Sequence, residues 1–182
     1  MTDRARLDGQ VAFVTGGGGG IGRAIALGLA EAGADVSIFE IFPERAEEAA
    51  ARVREQGRQA LPIVGDVMDS DALRAAVDAA AAEFGRLDIL VNNAGGVSAR
   101  PFLDQSERSM RKHIDINLMS MLIATQAAAK HMVDGGRGGA IINVASIEAS
   151  RAAPNFAVYA ACKAGMLSCT QSMAVELSGH GI

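Results

Sequence analysis

Thr15-Gly16-Gly17-Gly18-Gly19-Gly20-Ile21-Gly22 follows a short apolar run, residues 10–15, and opens a helix-period segment, residues 20–32. A strand that ends in glycines and passes straight into a helix offers free backbone N–H groups and the positive end of a helix dipole. A dinucleotide pyrophosphate needs both, together with close backbone approach, and a side chain at these positions blocks that approach. Two registers fit the turn: Gly16-x-x-x-Gly20-x-Gly22, and a GxGxxG at Gly17, Gly19 and Gly22. Five consecutive glycines can match a pattern by accident and form a flexible loop. The position between the first strand and the first helix argues against that.

Working outward, short apolar runs at 10–15, 35–40, 59–64, 87–92 and 140–145 alternate with helical stretches at 20–32, 43–56, 70–84, 105–133 and 154–178. Strands apolar on both faces, each followed by an amphipathic helix, imply a parallel sheet covered on both sides. Gly33, Gly57 and Gly85 stand where helix C-terminal caps belong. The expectation is one doubly wound α/β unit, a Rossmann fold, over residues 1–182. Ending just past the fifth helix, this layout leaves the fifth strand as an apolar edge of the kind proteins normally cover. The sequence is therefore expected to be a piece of a longer fold, lacking the last strands and the substrate-binding segment.

The 182 residues are 49% hydrophobic and 21% charged, with a net charge of −4. This composition excludes disorder and disfavours nucleic acid as a partner, since phosphate binding needs a basic face. Cys162 and Cys169 make no disulfide framework or metal-ligand spacing. Residues 1–10 lack the apolar stretch of a signal peptide, and the segment 116–129 is too short to cross a bilayer. The expectation is a cytoplasmic protein with no membrane partner. His113, His131 and His180 have no carboxylate or cysteine neighbours at ligand spacing, so no metal site is expected. The charges of 44–55 read as a solvated helix face.

Glu40 ends the second strand about 18 residues after the last glycine of the turn. A carboxylate there can accept hydrogen bonds from ribose hydroxyls and repels a 2′-phosphate, which favours NAD over NADP. Arg45, five residues on, argues the other way.

Thr15-Gly-x3-Gly-Ile-Gly22, Asp66-Val67, Asn92-Asn93-Ala94-Gly95, Asn117, Ser146 and Tyr159-x3-Lys163 together resemble the short-chain dehydrogenases/reductases. The resemblance runs from about Gly9 to Ile182 and rests on the joint order of the motifs, with Ser146 thirteen residues before Tyr159. It implies an NAD-dependent oxidoreductase moving a hydride between an alcohol or ketone and the cofactor. Tyr159 and Lys163, four apart on a helix, share a face. A free tyrosine has a pKa of about 10, and a neighbouring ammonium favours the phenolate. Tyr159 can then exchange the proton of the substrate oxygen as general acid/base.

By the resemblance, Ser146 holds the substrate oxygen, Lys163 also binds the nicotinamide ribose, and Asn117 helps hold a proton-relaying water. Gly16, Gly18, Gly19, Gly20, Ile21 and Gly22 line the cofactor with Glu40. Asp66 contacts the adenine, Val67 packs on its ring, and Asn93, Ala94 and Gly95 pass their backbone along it. Taken singly, each of these residues also has a plain structural reading. Residues 97–102 and 147–155 are expected to border the substrate pocket, where Arg100 and Arg151 could attract an acidic group. The family commonly forms dimers and tetramers through the fifth helix and the long one before it. Ala157, Ala161, Ala164 and Ser168 allow close helix approach, so a homodimer or homotetramer is expected. A competing reading is a truncated chain that binds dinucleotide without turnover.

Overall fold

The computed structural model describes residues 6–182. The part of the leader and domain readings that rests on residues 1–5 lies outside it. Five parallel strands, β1 (Val11–Thr15), β2 (Asp35–Glu40), β3 (Ala60–Val64), β4 (Ile89–Asn92) and β5 (Ala140–Asn143), form one sheet in the order β3-β2-β1-β4-β5. The helices are α1 (Gly20–Ala32), α2 (Pro43–Glu55), α3 (Ser70–Phe84), α4 (Glu107–Ile114), α5 (Ser120–Gly135) and α6 (Ala157–Leu177).

Alternation along the strands divides the core in two. Val11 and Phe13 of β1 face one side with Leu73 and Val77 of α3 and Ala124 and Ala128 of α5. Ala12 and Val14 face the other, against Ala26 and Ala30 of α1 and Ala49 and Val53 of α2. Phe13 and Phe39 stack across β1 and β2 with ring centroids 6.0 Å apart, a contact worth about 0.5–1.5 kcal/mol beyond area burial. The strand order also reverses direction beside β1: β2 and β3 run outward on one side, β4 and β5 on the other. Ligands of open parallel sheets bind at this reversal, beyond the carboxyl ends of the strands.

Two expectations are refined. The strands are not all buried on both faces: β1, β2 and β4 are, whereas β3 is a partly exposed edge, and β5 is the apolar edge that the order of elements predicts, with Ile142 44% exposed. The stretch read as helical over 105–133 runs as a continuous helical stretch over 107–135, with a π-helical turn inside it. Ser106 caps α4, and the π-helical turn, Asp115–Met119, joins it to α5. The π turn is where the buried Asn117 side chain leaves the helix to bond Gly96, so a tertiary contact replaces regular helical spacing.

No helix of the described residues is long and apolar enough to cross a membrane. The same residues hold no group of three or more His, Cys, Asp or Glu that could bind a metal ion.

Candidate active site

The glycine turn is shaped by contacts to two neighbouring strands. The Gly16 N–H donates to the Phe39 carbonyl at 2.8 Å and the Gly18 N–H to Glu40 Oε2 at 3.1 Å. Gly16 has φ +62°, a left-handed conformation in which a side chain is strained. A Cβ on Gly18 would stand 2.6 Å from Glu40 Cγ, and one on Gly22 would collide with the Gly16 carbonyl oxygen and Asn93 Nδ2. Gly18 and Gly22 are therefore packing glycines, while Gly16, Gly19, Gly20 and Ile21 line the groove that opens beside them. The positive-φ positions Gly16 and Gly20 and the packed Gly22 follow the Gly16/Gly20/Gly22 register, and Gly18 is packed in addition.

This groove has a volume of about 430 Å³. Gly19 begins α1 without any side-chain cap, so the first-turn N–H groups of α1 have no helical partner. Along the walls lie Glu40, Asp66, Val67, Asn93, Ala94 and Gly95. The Glu40 carboxylate accepts from the N–H groups of Gly18, Ile41 and Phe42, which leaves about one of its four lone-pair directions for a ligand. Arg45 lines the same groove with its guanidinium 4.6 Å over the Phe42 ring. Asp66 holds its turn by accepting from the Met68 N–H at 2.9 Å. An uncapped helix terminus, a glycine floor and a carboxylate at the second strand's end fit a dinucleotide.

Thr15 ties the two walls together. Its hydroxyl accepts from the N–H groups of Asn93 and Ala94, both at 3.0 Å, and the Asn93 amide donates back to the carbonyls of Thr15 and Gly16. The strand-end threonine stood in the motif, but its partners nearly 80 residues away could not be read there.

The far end of the groove meets α6. Lys163 is 4% exposed; its ammonium donates to the Val144 carbonyl at 2.7 Å and lies 5.9 Å from the centre of the Tyr159 ring. Burial pulls its pKa below the ordinary lysine range. Asn117, fully buried, donates to the Gly96 and His113 carbonyls and accepts from the Gly96 N–H. A Cβ on Gly95 would stand 2.8 Å from Asn117 Oδ1 and 3.8 Å from Lys163 Nζ. Gly95 is thus the point where the groove, the π turn and Lys163 come together. The Lys163 ammonium and the Tyr159 ring thus face each other at the end of the groove.

Ser146 follows β5 and caps the short turn Ile147–Ala149, which packs on α6. Its hydroxyl donates to Glu148 Oε2 at 2.5 Å, and Glu148 Oε1 accepts from Arg151 at 2.9 Å. The Arg151 guanidinium, and after it the Ser146 hydroxyl, hold the Glu148 carboxyl down to about 2. Arg151 is therefore engaged by Glu148, and Arg100 leans on the Asp104 carbonyl, which revises the expectation that these two attract an acidic group. His131 gains a carboxylate partner that spacing did not show, Asp78 of α3 at 2.7 Å.

A buried polar chain also went unnoticed in the sequence. Asn92 donates to Thr125 and Asn143, and Asn143 donates to Thr170, joining β4, β5, α5 and α6. The Asn92–Gly95 motif implied a brace for the sheet, but the partners of Asn92 lie 33 and 51 residues away and could not be read from it.

Comparison with known proteins places this geometry. The family described as short chain dehydrogenase matches residues 10–182. The chain is 39% identical over 176 residues to 2-dehydro-3-deoxy-D-gluconate 5-dehydrogenase of Escherichia coli (strain K12), covering 97% of this chain and 69% of the relative. It is 40% identical to D-threitol dehydrogenase of Mycolicibacterium smegmatis, covering 97% and 68%. Among solved structures, carveol dehydrogenase from Mycobacterium avium in complex with NAD superposes with a TM-score of 0.93 at 35% identity, covering 97% of this chain and 68% of that one. A 7α-hydroxysteroid dehydrogenase complexed with NADH and 7-oxo glycochenodeoxycholic acid gives 0.95 at 35%, covering 100% and 71%. With the sheet order, the glycine turn and the sequence match all in agreement, this chain belongs to the short chain dehydrogenase family of Rossmann-fold oxidoreductases.

Proposed function

We propose that the chain is an NAD-dependent dehydrogenase acting on a CH–OH group, with Tyr159 as its general acid/base. The observation that carries this is the convergence at Gly95, where the dinucleotide groove runs up to Lys163 and Asn117 beneath Tyr159. The cofactor supplies the hydride acceptor or donor when bound. The first turn of α1 and Gly16, Gly19, Gly20 and Ile21 hold its pyrophosphate, with Gly18 and Gly22 packing that turn in place. Glu40 takes the adenosine ribose, Asp66 and Val67 border the adenine, and Asn93, Ala94 and Gly95 run beneath the nicotinamide half.

Tyr159 removes the proton from a substrate hydroxyl during oxidation and returns it to the carbonyl oxygen during reduction. Lys163 holds its ammonium 5.9 Å from the centre of the Tyr159 ring and binds the nicotinamide ribose. Asn117 holds the backbone of Gly96 and positions the water through which Lys163 exchanges protons, and Ser146 positions the substrate oxygen. The Glu40 carboxylate, 7% exposed and fixed by three N–H groups, sets NAD over NADP because a 2′-phosphate would meet its charge. Relatives solved with NAD or NADH support the same cofactor. A homodimer or homotetramer is part of this reading. It is supported by exposed Leu167 and Val175 on α6 and by the exposed small residues Ala157, Ala161, Ala164 and Ser168.

NADH consumption with a panel of ketones, beside NADH and NADPH titrations by calorimetry, tests the proposal. Turnover that disappears in Tyr159→Phe while NADH binding stays is the expected result. Full activity in Tyr159→Phe, or tighter binding of NADPH than NADH, overturns the corresponding assignment.

A further inference from the structure

Glu148 stands beside Ser146 and has no part in the chemistry above. Its carboxylate oxygen lies 2.5 Å from Ser146 Oγ, on a turn packed against the helix that carries Tyr159. The Ser146 hydroxyl proton is given to Glu148, and the Glu148 N–H points back at Ser146 Oγ at 3.3 Å. Of about four lone-pair directions on the carboxylate, one accepts from Ser146 and one from Arg151. Two acceptor directions remain, immediately beside the atom assigned to the substrate oxygen. Glu148 is neither buried nor fully open, its side chain being 21% exposed.

We propose that Glu148 is a specificity-determining residue that accepts a hydrogen bond from a second hydroxyl on the carbon next to the reacting carbinol, so that the site selects neutral vicinal diols and disfavours 2-hydroxy acids. The two oxygens of a gauche vicinal diol lie about a hydrogen bond's length apart, matching the neighbouring Ser146 and Glu148 oxygens. One hydroxyl meets Ser146 and Tyr159; the other donates to Glu148 in place of Ser146, whose hydroxyl then turns to donate to the reacting oxygen. A carboxylate in the second position faces Glu148 instead, charge against charge, while Arg151 is already engaged. This inference rests on Ser146 and Tyr159 holding the reacting oxygen, as proposed above.

The test compares kcat/KM for 2,3-butanediol, 2-butanol and lactate with NAD in the wild type, Glu148→Gln and Glu148→Ala. The wild type is expected to prefer the diol over 2-butanol by roughly ten- to a hundredfold, the factor a hydrogen bond to a charged group provides. In Glu148→Ala that ratio falls toward one. Glu148→Gln keeps part of it, since its amide oxygen still accepts, and both variants gain on lactate as Arg151 is released. Loosening of the turn alone would lower all three substrates together and leave the ratios unmoved. A wild-type ratio near one, or a ratio unchanged in Glu148→Ala, overturns the inference and leaves the dehydrogenase reading standing. Binding of NADH with no turnover of any alcohol or ketone overturns both.

Discussion

Gly22 and Gly28 lie on the same helix, yet replacing each by alanine should act in opposite directions. A Cβ on Gly22 would collide with the Gly16 carbonyl oxygen and with Asn93 Nδ2, the amide that bonds the carbonyls of Thr15 and Gly16. Backbone cannot yield there as a flexible side chain would. Overpacking costs about 1–3 kcal/mol, and losing a hydrogen bond of the Asn93 amide adds about 1 kcal/mol. The total for Gly22→Ala is about 3 kcal/mol, which for a chain of this size lowers Tm by roughly 6–12 °C. A Cβ on Gly28 meets nothing within 4 Å, so Gly28→Ala removes only the helix penalty of glycine and stabilises by about 0.5–1 kcal/mol. Thermal unfolding followed by circular dichroism reads both. An NADH titration should in addition show at least a roughly tenfold loss of affinity in Gly22→Ala alone, because Gly16 and Asn93 frame both walls of the groove. A Gly22→Ala protein melting within about 2 °C of the wild type, or a Gly28→Ala protein falling as far as Gly22→Ala, refutes the reasoning.

Tyr159→Phe should lower kcat by about 10²–10⁴-fold with NADH affinity unchanged, as measured by steady-state kinetics and calorimetry. Asn117→Ala leaves the Gly96 N–H and carbonyl and the His113 carbonyl without their partner; a loss of about 1–3 kcal/mol in urea unfolding is expected, and an unchanged midpoint would argue against it. Glu40→Gln should narrow the preference for NADH over NADPH, and calorimetric affinities that keep their ratio contradict the role given to the charge. The Glu148 carboxyl, at about 2 against an ordinary 4.5, binds protons less readily folded than unfolded. Its contribution to stability is therefore complete above about pH 4.5 and lost as pH falls toward 2. The gap in stability between the wild type and Glu148→Gln should close over that window, and a gap independent of pH would contradict the assignment.

Much of this architecture is legible without coordinates because it depends on local physics. The strand at 35–40 and the helices at 20–32 and 70–84 emerge with the boundaries read from periodicity, since side-chain alternation and glycine caps act within a few residues. The glycine turn is legible for the same reason: only a chain without side chains can pass so close to Glu40 and Asn93. What tertiary structure decided depends on partners far apart in sequence. Periodicity reports that a strand is apolar but not its place in the sheet, so the partial exposure of β3 needed the coordinates, whereas β5 stands at the edge that the order of elements predicts. Asn117 sits in a π turn that helical periodicity does not reveal, where its amide meets Gly96 across 21 residues. His131 met Asp78, and Asn92 joined Thr125 and Asn143, through contacts 33 to 53 residues long. Glu148 needed coordinates despite lying two residues from Ser146, since sequence gives the spacing of two side chains but not whether a turn aims one hydroxyl at the other. Local steric and periodic rules thus determined the elements and the glycine turn, whereas sheet order, the π turn and the pairing of buried polar groups were decided by the fold, where an unsatisfied buried donor or acceptor is costly enough to override local preference.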